Sequence, residues 1–154
     1  MPTPIPKIRP RTMREPLTRS QVMSRIRSQN TGPETLTRAA VHALGIRFRS
    51  HVSDLPGKPD LANKKCKWAI FVHGCFWHSH LGCKLASKPK SNTGYWTTKL
   101  RRNQERDAEK ITALEALGFR VLILWECDVR NGVRLRQALS EFFPKQARRE
   151  PFSG

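Results

Sequence analysis

Acidic side chains are scarce in this chain. Its 154 residues hold 12 Asp and Glu against 29 Lys and Arg, a formal charge of +17, and its isoelectric point is near 10.9. A field of that sign draws polyanions, most simply nucleic acid. An anionic membrane surface fits less well, because no strongly basic stretch carries a wide apolar face. Long hydrophobic runs are missing too. No stretch approaches the roughly 20 residues of a membrane span, and the first residues lack the apolar core of a secretion signal. Neither a spanning nor a secreted protein is expected. Cysteines number four, enough for two disulfides in a secreted chain. Here, however, Cys75 and Cys83 stand among histidines and Cys66 reads as an ordinary strand residue. Metal binding in a reducing cytosol suits them better. No internal repeat is present. With 38% apolar residues, the chain has the size and content for one domain around one core.

Proline and basic residues crowd positions 1–17, with Pro2, Pro4, Pro6, Pro10 and Pro16, which predicts a flexible basic arm. Residues 18–27 suit a short helix. Thr31-Gly-Pro-Glu opens a stronger one: Pro33 fits a first turn, Glu34 complements the helix dipole, and Gly45 can end it. Leu36, Ala40, Ala43 and Leu44 form its expected buried stripe. Three strands are expected next, at 46–52, at 60–62 after the Leu55-Pro-Gly-Lys-Pro turn, and at 66–72, the last buried on both faces. A long helix over 95–117 follows, with Trp96, Leu100, Asn103, Asp107, Ile111 and Leu114 on one side and Gly118 past its end. Asn103 and Asp107 are polar exceptions on that apolar stripe. A buried strand at 119–125 and a helix at 133–143 close the domain, leaving a basic tail at 144–154. The order αβββαβα predicts an α/β fold, a mixed β-sheet flanked by helices.

The densest chemistry lies in Phe71-Val-His-Gly-Cys-Phe-Trp-His-Ser-His-Leu-Gly-Cys83, where two cysteines and three histidines share 13 residues. Cys75, His80 and Cys83, with Cys127 at the end of the run Val121-Leu-Ile-Leu-Trp-Glu-Cys127, offer three thiolates and an imidazole. Zn²⁺ prefers such a four-coordinate set. A closed site of this kind is structural, pinning the loop to the end of the later strand. Cys66 is a weaker rival for the fourth position, His78 could replace His80, and buried apolar cysteines are the plain alternative.

Pro59-Asp60 opens one strand, and the strand beside it runs to Val72. In many metal-dependent nucleases a Pro-Asp strand is followed by one carrying Asp or Glu, any residue, then Lys, and the acidic pair holds Mg²⁺. Here the second strand reads Ile70-Phe-Val-His73 and lacks that triplet. Either this is no such nuclease, or a backbone carbonyl and histidines replace the missing groups. Spacing alone weighs this evenly against a turn-capping aspartate. His78 suits proton transfer beside a metal site, with an inert loop histidine as the alternative. His42 and His51 carry no motif and read as ordinary helix-surface and strand histidines. Phe76 and Trp77 sit in the loop, and Trp96 starts a helix after the basic run at 84–90. Core packing is the usual fate of such rings, yet aromatics on a rigid basic loop can also wedge between bases.

Leu55-Pro-Gly-Lys-Pro-Asp-Leu61, Ile70-Phe-Val-His-Gly-Cys-Phe-Trp-His78, Asn103-x-x-Arg-Asp107 and Val121-Leu-Ile-Leu-Trp-Glu-Cys127 closely resemble the very short patch repair endonucleases. Thr18-Arg-Ser-x-x-Met23 resembles that family's start, and the resemblance spans residues 18–143. It implies a restriction-endonuclease-like fold with a structural zinc, and a bacterial enzyme that nicks 5′ of the thymine in T:G mismatches left by 5-methylcytosine deamination. It further implies catalytic Mg²⁺ on Asp60 with the main-chain carbonyl of Val72, a threonine in some members. His78 falls on the catalytic histidine, His73 and Glu34 on supporting polar groups, and Cys75, His80, Cys83 and Cys127 on the zinc ligands. Phe76, Trp77 and Trp96 fall on the aromatic wedge, Met23 on a residue entering from the opposite groove, and Lys99 and Asn103 on residues touching the mismatched bases.

The expected function is therefore a Mg²⁺-dependent, zinc-stabilised mismatch endonuclease. It would be a monomer, cytoplasmic and nucleoid-associated. Its partner is mismatched double-stranded DNA, with mismatch-repair proteins and DNA polymerase as further partners and no membrane. The rivals are a restriction-type nuclease of matched DNA and a noncatalytic zinc-containing DNA-binding protein.

Overall fold

The structure, a computed structural model, describes residues 15–25 and 31–144. The arm at 1–17 lies outside the described residues except for 15–17, and so does the tail beyond 144. The elements run α1 (Arg19–Ser24), α2 (Gly32–Ala43), β1 (Arg49–Ser50), β2 (Leu61–Asn63), β3 (Trp68–His73), α3 (Thr93–Ala116), β4 (Arg120–Trp125), α4 (Glu126–Val129) and α5 (Gly132–Phe142). Four strands form one sheet in the order β1-β2-β3-β4. β1–β2 and β2–β3 are antiparallel, and β3–β4 is parallel. The parallel pair needs a long crossover, which α3 supplies.

Local chemistry sets the element ends. Thr18 and Gln21 form a reciprocal capping box at the start of α1. Gly45 (φ 73°) and Gly118 (φ 84°) follow α2 and α3 in the left-handed conformation, as expected of helix-ending glycines. Asn131 caps α5 through the backbone N–H groups of Val133 and Arg134. The expected strand at 46–52 contracts to two residues. His51 takes a left-handed backbone (φ 49°), which breaks the extended run, although its N–H still donates to the Asp60 carbonyl at 3.0 Å. Cys66 is exposed and lies in the β2–β3 turn, its N–H held by Asn63 Oδ1 at 2.9 Å; it is not a strand residue. Helix α4 had no sequence signal.

Alternation along β3 builds two cores. Trp68 and Ile70 join Val41, Leu61, Leu124, Leu135 and Leu139 on the α2/α5 face. Ala69 and Phe71 join Leu114 and Phe119 on the α3 face. Each large side chain so buried contributes roughly 1.5–3 kcal/mol. The face α2 buries differs from the expected one. Pro33, Glu34, Thr37 and Val41 are inside, Leu36 is exposed, and Ala40 and Leu44 only border the core. The helix is turned so that its first-turn carboxylate points inward, a rotation that hydrophobicity alone does not select. On α3, by contrast, Trp96, Leu100 and Leu114 are buried as the periodicity predicts.

Candidate active site and metal centres

Antiparallel pairing of β2 with β3 sets Asp60, the residue before β2, beside the end of β3. Val72 N–H donates to Asp60 Oδ2 at 2.7 Å. Burial pushes the Asp60 carboxyl up to about 6, the Val72 N–H opposes this, and the Glu34 charge adds to the rise. Glu34 enters from the first turn of α2 and is buried. The turn before Asp60 is tight: Gly57 has φ 76°, and a Cβ there would lie 2.7 Å from the Lys110 Cβ on α3. Only glycine satisfies both conditions.

His73 ends β3 on the face turned toward α3. His78, five residues on, folds back so that the two rings stack at 3.7 Å and 6°. His78 Nδ1 is hydrogen-bonded to Asp107 of α3. Burial holds His73 down at about 4, with His78 adding to the fall, so this ring is neutral near pH 7. Glu34, Asp60, Val72, His73, His78 and Asp107 line one cleft of about 160 Å³. It contains carboxylates able to hold a cation and a histidine oriented by a carboxylate, the components of metal-assisted hydrolysis.

The second cluster follows from the parallel register. His73 lies opposite Trp125, so the loop after β3 and the chain after β4 leave the sheet at the same end. There the ligand atoms of Cys75, His80, Cys83 and Cys127 lie within 4.8 Å of one another. Cys127 N–H donates to Cys75 Sγ at 3.4 Å, Cys127 Sγ is 3.4 Å from His80 Nδ1, and His80 stacks on Trp125 at 4.2 Å. All four cysteines are free thiols. Burial pushes the Cys75 thiol up to about 12, and burial likewise raises Cys127, whereas the Leu85 backbone lowers Cys83. Three thiols and an imidazole within this span suit a tetrahedral soft-metal site. His80 stands among the thiols, while His78 faces the cleft.

Met23, Phe76, Trp96 and Leu100 form a satellite core with Trp77 packed against it. Phe76 meets Trp77 and Trp96 edge-on, each at 5.2 Å, and Trp96 Nε1 donates to Ser20 Oγ of α1 at 2.7 Å. Lys99 Nζ lies 5.2 Å from the Trp77 ring centroid. Asn103 donates to the Trp77 carbonyl at 3.1 Å. A groove of about 850 Å³ passes Met23, Phe76, Trp77, Lys99 and Asn103 and includes His78 and Asp107, so it is continuous with the cleft. Arg19, Arg106, Lys110 and Arg130 also line it.

The structure thus gathers the sequence-derived residues into three adjacent groups: Glu34, Asp60, Val72, His73 and His78 at the cleft; the four soft ligands; and Met23, Phe76, Trp77, Lys99 and Asn103 along the groove, with Trp96 buried behind them. It adds two residues to which the sequence had assigned no role. Asp107 was marked by its polarity on an apolar helix face and as the end of the Asn103-x-x-Arg-Asp107 motif, with no role attached. His51, whose Nε2 is 3.8 Å from Glu34 Oε2, had no sequence signal, because its neighbours come from distant segments.

A basic α/β protein with these cleft groups beside a cation-lined groove has the make-up of a DNA endonuclease. Residues 12–84 match the family described as DNA mismatch endonuclease Vsr. The type II nicking enzyme V.XorIIP of Xanthomonas oryzae pv. oryzae is 45% identical over 116 residues, covering 75% of this chain and 85% of that protein. V.NmeAIP of Neisseria meningitidis is 42% identical over 79% of this chain and 86% of that enzyme. The DNA mismatch endonuclease Vsr of Escherichia coli K12 is 40% identical over 80% of each chain. The chain belongs to the Vsr family of DNA endonucleases. No helix among the described residues is long and apolar enough to cross a membrane.

Proposed function

We propose that this protein is a Mg²⁺-dependent, zinc-stabilised endonuclease that nicks 5′ of the thymine in T:G mismatches, the first step of very short patch repair. The observation that carries this reading is the shared cleft of Asp60 and the His78–Asp107 pair, opening directly into the aromatic, cation-lined groove. A restriction-endonuclease-like body over 18–143 carries the site, with the basic arm and tail adding phosphate contacts.

Asp60 is held by one N–H and retains further lone pairs for a cation, with Val72 and Glu34 lining the same cleft. Bound Mg²⁺ supplies the positive charge that polarises the scissile phosphate and stabilises the leaving oxygen. His78 accepts the proton of the attacking water. Asp107 accepts the Nδ1 hydrogen, which leaves Nε2 as the basic atom. His73, neutral and stacked, fixes the plane of the His78 ring without competing for its proton. Zn²⁺ on Cys75, His80, Cys83 and Cys127 holds the loop that carries Phe76, Trp77 and His78, so chemistry and recognition share one rigid support.

The aromatic cluster is the selectivity device. A mismatched pair unstacks at less cost than a matched one, so the half-buried Trp77 leads the wedge into the stack from one groove, backed by the buried Phe76 and Trp96, with Met23 reaching in from the other. Lys99 and Asn103 meet the exposed base edges. The names of the relatives, nicking enzymes and a mismatch endonuclease, favour single-strand cleavage. The enzyme works as a monomer in the bacterial cytoplasm, at the nucleoid, with mismatch-repair proteins and DNA polymerase acting after it.

The test uses end-labelled duplexes differing only in one T:G or T:A pair. A single nick 5′ of the mismatched thymine, absent with EDTA and absent from the T:A duplex, is expected. Equal cutting of both duplexes would favour a nuclease of matched DNA. Tight binding with no nick would favour a noncatalytic zinc-containing DNA-binding protein.

A further inference from the structure

One group beside the cleft's carboxylates has no part in the chemistry above. His51 is brought to the site by the same left-handed turn that ends β1, and its N–H is bonded to the Asp60 carbonyl. The two residues are therefore fixed relative to one another through the backbone. The ligand atoms of Glu34, His51 and Asp60 all lie within 4.8 Å of one another. An ion with donors at about 2.1–2.2 Å places adjacent donors about 3 Å apart and opposite donors about 4.3 Å apart. The 3.8 Å between His51 Nε2 and Glu34 Oε2 falls between those values, so one ion can reach both. The Glu34 side chain is 5% exposed and that of His51 32%. The trio thus has a buried floor and a solvent-facing side through which a hydrated cation can enter.

The donor types matter more than their number. Asp60 with the Val72 carbonyl is an all-oxygen set, the kind that hard Mg²⁺ accepts. An imidazole nitrogen adds little for Mg²⁺ but strengthens binding of first-row transition ions. We propose that His51 is a third side-chain ligand to the catalytic cation, forming a Glu34–His51–Asp60 site that binds Mn²⁺ in preference to Mg²⁺. This rests on the reading of Asp60 as the cation ligand.

Mn²⁺ is the probe, because the thiolate cluster selects Zn²⁺ over it. In the full-length, zinc-loaded protein, Mn²⁺ therefore reports on the carboxylate site. Pulsed electron paramagnetic resonance of bound Mn²⁺ should show hyperfine coupling to one imidazole nitrogen. His51→Asn tolerates the left-handed backbone and should abolish that coupling. It should also weaken Mn²⁺ binding about tenfold or more and change Mg²⁺ binding much less, with an unchanged circular dichroism spectrum. Mn²⁺ that is lost in Asp60→Asn yet shows no nitrogen coupling in the wild type would overturn the role of His51 and leave the Asp60 reading standing. Coupling that survives His51→Asn would assign the nitrogen to another histidine and overturn the proposal equally. Mn²⁺ binding indifferent to Asp60→Asn would remove the Asp60 reading and, with it, this inference.

Discussion

Two titratable residues at the cleft, Asp60 half-buried and His73 buried, pull the pH dependence of stability in opposite directions. Asp60 moves from 3.8 to about 6 on folding. The folded state then holds the extra proton between those values, so stability falls as pH rises through that window. His73 moves from 6.5 to about 4. There the unfolded state holds the extra proton, and stability rises with pH. The slopes largely cancel in the wild type. Asp60→Asn should therefore abolish nicking yet raise stability without divalent cation at pH 7.5 by about 1–3 kcal/mol. It should also unmask a loss of stability on acidification from about 6.5 to 4. Urea unfolding across that range checks both, and a variant that is less stable at pH 7.5 would contradict the burial argument. At limiting Mg²⁺, wild-type nicking should fall as pH drops below about 6 and recover with more cation, which competes with the proton on Asp60. Asp107→Asn leaves His78 in the wrong tautomer. Nicking should fall by about 10²–10⁴ with mismatch affinity retained, as single-turnover kinetics and a binding titration would show.

At the scale of elements, the turn before β2 and the loop after β3 do the positioning. Gly57→Ala meets both a left-handed backbone and the Lys110 stem at 2.7 Å. The expected cost is about 1–3 kcal/mol, with a shift of Asp60 that lowers nicking beyond the loss of stability; a thermal melt alongside a Mg²⁺ titration separates the two. The loop at 74–83 contributes groups to all three clusters, so a metal held by Cys75, His80 and Cys83 would be coupled to everything else. Cys83→Ser should lose bound zinc and thermal stability together, by metal analysis and melting, and unchanged zinc content would remove Cys83 from the set. Much of this scale could be read from the chain. The α3 stripe from Trp96 to Leu114 and the helix-ending glycines declare themselves by period and backbone need. The face of α2 did not, because burying Pro33, Glu34, Thr37 and Val41 depends on packing against segments distant in sequence, not on the helix's own hydrophobic period. The first strand was overextended because no local signal marks His51 as left-handed.

For the whole molecule, the +17 charge predicts binding dominated by phosphate contacts. Affinity for matched duplex should fall at least about 10³-fold between 50 and 200 mM salt, while discrimination between T:G and T:A duplexes should change far less, as expected of an aromatic wedge rather than the field reading the mismatch. Fluorescence anisotropy on both duplexes measures the two terms separately. The cleft and groove meet because β3 and β4 are parallel and end together, which sets the Cys/His ligand cluster, histidine stack and aromatic ring cluster on one rim of the sheet.

The sequence by itself pointed to DNA as the partner, to Cys75, His80, Cys83 and Cys127 as one soft-ligand group, and to most of the residues the structure brings together. Charge, thiol and imidazole content, and the string from His73 to His78, are local properties that survive without a fold. Tertiary structure brought Cys127 to the other thiols as the sequence had suggested, and it alone decided that Asp107 faces His78 and that His51 stands beside Glu34 and Asp60. Each depends on strand register, helix rotation or a left-handed residue, and these are settled by packing between segments far apart in the chain.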